Sequence, residues 1–409
     1  MLVPNAACFS AEKLWDVLRL EGKELDLMNL GSFAGEYAIV GAKYVETSWL
    51  SQGDSEVSPF LPPIVRKQLY ILRVAADDTM VWRQTYPGLP DVHEIFSVDA
   101  TSDQRLCIVF GEQRGQEAIL NPVLLQVDVV GNILWAKRNV ISLSEVNSKA
   151  TESVTQIANL DTLRVIASPD NACALTFVTR QFTGETEKFQ LHVIQYSPDG
   201  NIQWQQALDT EIYGKLFLIN NKAANHYVVI QTNQSRDAAI QAMVLGVPFV
   251  PQTSLIGIGY TGEISYQFIN PISFSNVWVK DASDAAGDSF LIAGKTKTAW
   301  VGKITSSGKV LGFFDELVGE YNAVSKAGSD GYLFARGDSV VLLKNDLKIY
   351  SNQKIKDVTT HQYVNQYLMA RLADDMPVEQ MISLGEDEYL VLYKLGSKLL
   401  KIRLNEKGK

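Results

Sequence analysis

SPDGNIQW, residues 197–204, follows the run LHVIQY and leads into QQAL. An Asp-Gly pair between apolar runs signals a hairpin, so this text predicts a strand, a tight turn at Asp199 and Gly200, and a second strand carrying Trp204. VDVVGNILW at 127–135 is nearly the same text. Related turns recur at Asp78 (AADDTMVW), Gly262 (YTGEISY), Gly308 (SSGKVLG), Asp346 (KNDLKIY) and Gly408 (NEKGK), a mean step of about 55 residues. Self-similarity at such a period marks a repeat architecture.

A second feature keeps step with the first. Before each turn lies a strand opened by small or polar residues: GEYAIVGA at 35, QRLCIVFG at 104, NACALTFV at 171, NHYVVIQT at 225, DSFLIAGK at 288, DGYLFARG at 330 and DEYLVLYK at 387. Each is preceded by another short apolar run, such as KLFLIN at 215–220 or EQMISL at 379–384. Each unit therefore reads as four antiparallel strands, A to D, and seven such units predict an all-β, seven-bladed β-propeller in one domain. The blades are expected near 25–88, 93–140, 160–208, 213–270, 275–318, 320–355 and 378–409. Burial on both faces explains strands that are apolar throughout.

Four residues after the turn stand Trp82, Trp135, Trp204 and Tyr266, expected as core rings of outer strands packed over the next blade. The chain stops at its seventh turn, so AEKLWDVLRL at 11–20, with Trp15, is expected to supply the missing outer strand and close the ring. An amphipathic helix over the same residues is the alternative.

The hairpin text, best carried by VDVVGNILW and YSPDGNIQW, resembles the quinoprotein-like (PQQ-like) bacterial β-propeller repeats. The resemblance implies the fold. Quinoprotein dehydrogenases hold their cofactor with calcium and often a disulfide of adjacent cysteines, and neither an acidic ligand set nor adjacent cysteines can be mapped onto this chain. No cofactor is expected: no PQQ, no calcium, no transition metal.

A net charge of −9 with no basic run argues against nucleic acid. Cys8, Cys107 and Cys173 are three and widely spaced, so no disulfide framework is expected. LVPNAACFS after Met1 is not a secretory signal, and AMVLGVPFVP at 242–251 is too short to span a bilayer. The chain as written reads as cytoplasmic, or as exported or surface-associated if a leader has been removed.

His93, His192, His226 and His361 are scattered over different units and are expected in structural or solvated roles. The pairs Asp77-Asp78 and Asp374-Asp375, and the group Asp281, Asp284 and Asp288, read as solvated turn residues without calcium-loop spacing. A channel site assembled from carboxylates of several blades stays as the alternative, for an enzyme or a small-molecule or glycan binder.

The A-to-B and C-to-D turns are short. The long segments are B-to-C (43–67, 112–122, 180–188, 233–252) and D-to-A (142–160, 355–377), all on one face. Loops on one face of a rigid scaffold commonly carry function. Two are apolar and proline-stiffened, which nominates Trp49, Phe60, Leu61, Met243, Leu245 and Phe249 as anchors for another protein. Their packing on one another over the channel is the bland reading. The expected function is a non-catalytic protein-interaction scaffold, a subunit or cargo of a larger bacterial assembly.

Overall fold

Seven antiparallel sheets follow one another along the chain in the computed structural model. It describes residues 12–33, 35–47, 64–113, 120–138, 154–183, 186–233, 252–269, 278–285, 287–295, 299–314, 323–327, 331–336, 338–364, 378–385, 387–393 and 398–404. Blade 1 is strands A Leu25–Ser32, B Glu36–Thr47, C Ile64–Ala75 and D Met80–Thr85, paired in that order. Blade 2 runs from Val92–Ala100 to Ile133–Arg138, blade 3 from Arg164–Ala167 to Ile202–Thr210, and blade 4 from Lys215–Asn221 to Ile264–Ile269. Blade 5 spans Trp278–Asp284 to Val310–Phe314 and blade 6 Ala323–Ala327 to Ile349–Lys354. The molecule is a seven-bladed β-propeller with four-stranded blades and apolar clusters shared between neighbouring sheets.

The seventh blade corrects the expected closure. Its strands A, B and C are Val378–Gly385, Glu388–Tyr393 and Lys398–Arg403, but its outer strand is Thr359–Val364, which precedes them in sequence and pairs with strand C. Part of 355–377, read as a connection, is therefore a one-turn helix (Ile355–Val358) and that strand. Residues Leu14–Glu21 are an α-helix instead of a strand. Their apolar residues have helical spacing: Leu14, Val17 and Leu18 are buried together in the cluster that joins blades 7 and 1. The terminus still staples the ring, through a Lys13–Thr79 bridge and the Met80 N–H donating to the Glu12 carbonyl at 2.8 Å.

The segment 180–188, read as a loop, is mostly the end of a long hairpin, Cys173–Thr183 with Thr186–Tyr196. In 142–160, the strand Val154–Ile157 pairs along its outer part. The ladder of blade 1 likewise continues to Thr47 opposite Ile64.

The tryptophan repeat has a concrete function. The indole N–H of Trp82 donates to the Val129 carbonyl at 2.8 Å, that of Trp135 to Pro198 at 3.0 Å, and that of Trp204 to Tyr260 at 2.7 Å. Each acceptor lies in the C-to-D turn of the next blade. The turns need glycine twice over. Gly200 has φ +77° and Gly262 φ +94°, and a Cβ there would meet the Trp135 or Trp204 ring at 2.7 and 3.0 Å. Trp15 repeats the contact from the helix, donating to Asp78 Oδ2 at 3.1 Å.

Two further expectations are overturned at these joints. Asp78 is buried instead of solvated: Lys401 Nζ donates to both its oxygens at 3.0 Å, and the Tyr37 hydroxyl donates to Oδ1 at 2.9 Å. No disulfide framework is expected from the sequence, yet Cys107 and Cys173 form a disulfide between blades 2 and 3. Wide spacing in sequence hid the pair because adjacent blades place residues one repeat apart side by side.

Candidate functional site

Strand A of every blade lines a central channel of about 930 Å³. Its innermost position exposes side chains that a more outward strand would bury between sheets. Each strand A begins at the face from which the B-to-C and D-to-A connections leave and ends at the face of the tight turns. Arg164 and Lys215 each open a strand A, and Glu379 is the second residue of another, so a charged group gathers at the mouth on the decorated face. Asp161 and Asp281 complete it.

Asp281, a turn residue by its sequence context, is part of this wall. Strand A of blade 5 runs to Asp284, with a register shift between Val279 and Asp281. Its carboxylate accepts the Val324 N–H of blade 6 at 2.8 Å and the Ala282 N–H at 2.9 Å. Burial pushes its pKa up to about 6, against the opposing pull of Lys215, those two N–H groups and Arg164. Burial also lowers the pKa of Lys215, helped by the like charge of Arg164, and lowers that of Arg164 against the pull of Asp161 and Asp281. These groups therefore sense one another in a weakly screened space. No sequence motif flags them; the usable signal is a charged residue at the start of an otherwise apolar innermost strand.

Polar side chains also bind one blade's inner strand to the next. Asp99 accepts the Ala167 N–H at 2.7 Å, Asn220 donates to the Ala167 carbonyl at 2.7 Å, and Gln380 makes both bonds to the Leu30 backbone at 2.8 Å.

Trp49, Phe60, Leu61, Met243, Leu245 and Phe249 lie outside the described residues. The histidines do not converge: His192 stacks on Phe177, His361 stacks on Trp15, and His226 contacts the Tyr266 hydroxyl at 3.3 Å. Among the described residues no group of three or more His, Cys, Asp or Glu side chains could hold a metal ion. The mouth offers paired cations, acids and one carboxyl poised near 6, a set suited to holding a polar or charged group. Among the described residues no helix is long and apolar enough to cross a membrane.

No protein-family model matches this chain, and no curated protein matches its sequence. Solved structures similar to it include the C-terminal WD40 domain of Sif2, at 11% identity and TM-score 0.47 over 93% of this chain and 97% of that one. BBS1N, solved in complex with ARL6DN, is similar at 11% identity and TM-score 0.47 over 94% and 98%. Kuenenia stuttgartiensis hydrazine synthase is similar at 11% identity and TM-score 0.47 over 83% and 93%.

Proposed function

We propose that this propeller is a non-catalytic protein-interaction scaffold, a subunit or cargo of a larger bacterial assembly, built from quinoprotein-like repeats. The observation that carries the reading is the asymmetry of its two faces. On one, A-to-B and C-to-D turns are closed by short backbone hydrogen bonds, such as Gly200 N–H to Ser197 and Gly262 N–H to Gly259, both at 2.9 Å. At the other lie the strand ends Thr47 and Ile64, Arg138 and Val154, and Asn233 and Gln252, between which the sequence has 16, 15 and 18 residues, and there the charged channel mouth opens. A rigid disc with one elaborated face is suited to presenting a docking surface. In this reading Trp49, Phe60, Leu61, Met243, Leu245 and Phe249 supply apolar anchors and the mouth supplies charge.

The test compares capture of partners from native cells by the parent, by Phe60→Asp with Phe249→Asp, and by Val130→Asp in a tight turn of the opposite face, where Val130 is exposed. The first variant is expected to lose the partner with its melting temperature nearly unchanged, and the second to keep it. The reverse pattern would refute the assignment of the face. The mixed charges of Arg164, Lys215 and Asp281 favour a second reading, a small polar or glycan ligand in the channel. A ligand screen by thermal shift on the parent and on Arg164→Ala would detect it.

A further inference from the structure

Several joints between blades share a polar contact, and the joint of blades 2 and 3 adds a covalent one. The strand-C residue opposite the outer-strand aromatic reaches for the following blade: Arg73 donates to the Val129 carbonyl at 2.8 Å, and Gln195 accepts from the Tyr227 hydroxyl at 3.0 Å. Lys401 likewise holds Asp78, and Lys303 lies over the Tyr332 ring, 5.7 Å from its centroid. On the receiving side, strand B of blades 1, 4, 6 and 7 offers Tyr37, Tyr227, Tyr332 and Tyr389 at equivalent registers. At that register blade 3 has Cys173, bonded to Cys107 of blade 2. Both cysteines are 0% exposed. The Gln126 side chain lies against both sulfurs and donates to the Asn171 carbonyl at 2.8 Å.

We propose that Cys107–Cys173 is a permanent structural staple made as the chain folds in an oxidising compartment and not in a thiol-reducing cytosol. The pair lies beside Gln126, which makes the polar contact that other joints also make, and it is sealed from solvent. The bond must therefore form before blades 2 and 3 close on each other. It forms by exchange: one thiolate attacks an external disulfide, giving a mixed disulfide and freeing one carrier sulfur; the second thiolate attacks the protein sulfur of that mixed disulfide and expels the other carrier sulfur, so that the carrier leaves as a dithiol with the two electrons and two protons. Once closed, the sulfurs are out of reach of a reducing thiolate, as suits a structural bond of an oxidising space and not a cytosolic redox sensor. This inference stands on the joint alone and does not need the docking-face reading.

The test takes native cells, quenches them in acid, denatures the protein, alkylates free thiols and maps the peptides by mass spectrometry. The expected result is a linked Cys107–Cys173 peptide pair with neither cysteine alkylated before reduction. Alkylation of both in most molecules would overturn the proposal, including the case where the bond appears only in protein purified in air. The Cys107→Ser and Cys173→Ser double variant is expected to melt several degrees below the oxidised parent. An unchanged melting temperature would show that the bond is no staple.

Discussion

Asp281 accepts two backbone N–H bonds and feels Lys215 and Arg164, yet burial holds its carboxyl near 6. A proton bound more tightly in the folded chain than in the unfolded one, whose ordinary value is 3.8, favours folding below that value. The contribution is lost as pH rises to about 6, a loss of roughly 2–3 kcal/mol for a shift of this size. Asp281→Asn removes the titration. The stability of the parent relative to this variant, from melts across pH 3.5 to 8, is expected to fall up to about pH 6 and then stay level; a flat difference throughout would mean the carboxyl titrates normally. Nothing near Asp281 in sequence announces this, because DASDAAGDS reads as a polar turn. Asp78 misleads for the same reason: its partner Lys401 is 323 residues away. By contrast, Trp82, Trp135 and Trp204 were legible because a large ring at a fixed distance from a turn repeats with the blades.

The elements were legible wherever local chemistry fixed them. Asp-Gly and Gly-Asn turns set the C-to-D hairpins, and positive φ at Asp78, Gly131, Gly200, Gly262 and Gly308 confirms the turn geometry. What failed was assignment across the ring. TTHQYV at 359–364 carries no turn signal, and it precedes the blade it completes. LWDVLRLE is compatible with a strand or a helix until Leu14, Val17 and Leu18 are seen to share one buried face. Closure by a helix has a test that closure by a strand does not. Val17→Pro removes a helical hydrogen bond and crowds the preceding turn, which costs about 3 kcal/mol or more in a helix interior. A variant Val17→Thr, which keeps the shape and would suit a strand, is expected to be milder. Thermal melts giving the two variants equal stability would argue against the helix as the closing element.

At the scale of the ring, stability depends on how each blade is tied to the next, and the tie between blades 7 and 1 is the one the chain does not make covalently in passing from unit to unit. It is assembled from Lys401, Asp78, Tyr37 and Trp15, with Gln380 bridging the inner strands and the Tyr363 hydroxyl donating to the Gly22 carbonyl at 2.7 Å. The blades 2–3 tie is covalent instead, and closing a loop of 66 residues is worth about 4 kcal/mol in the chain-entropy account. The ring is therefore expected to open first at the 7–1 joint. Lys401→Met keeps the length of the side chain but leaves Asp78 buried without its cation, a change that costs about 3–5 kcal/mol when one partner of a buried pair is removed. Hydrogen exchange locates the damage. Amides of the outer strand Thr359–Val364 and of the turn at 76–79 are expected to lose protection by a factor of 10 or more, while those of Cys173–Thr183 in blade 3 keep theirs, because local opening costs less than global unfolding. Equal acceleration in all seven blades would mean that the propeller unfolds as one unit and that no single joint governs its opening.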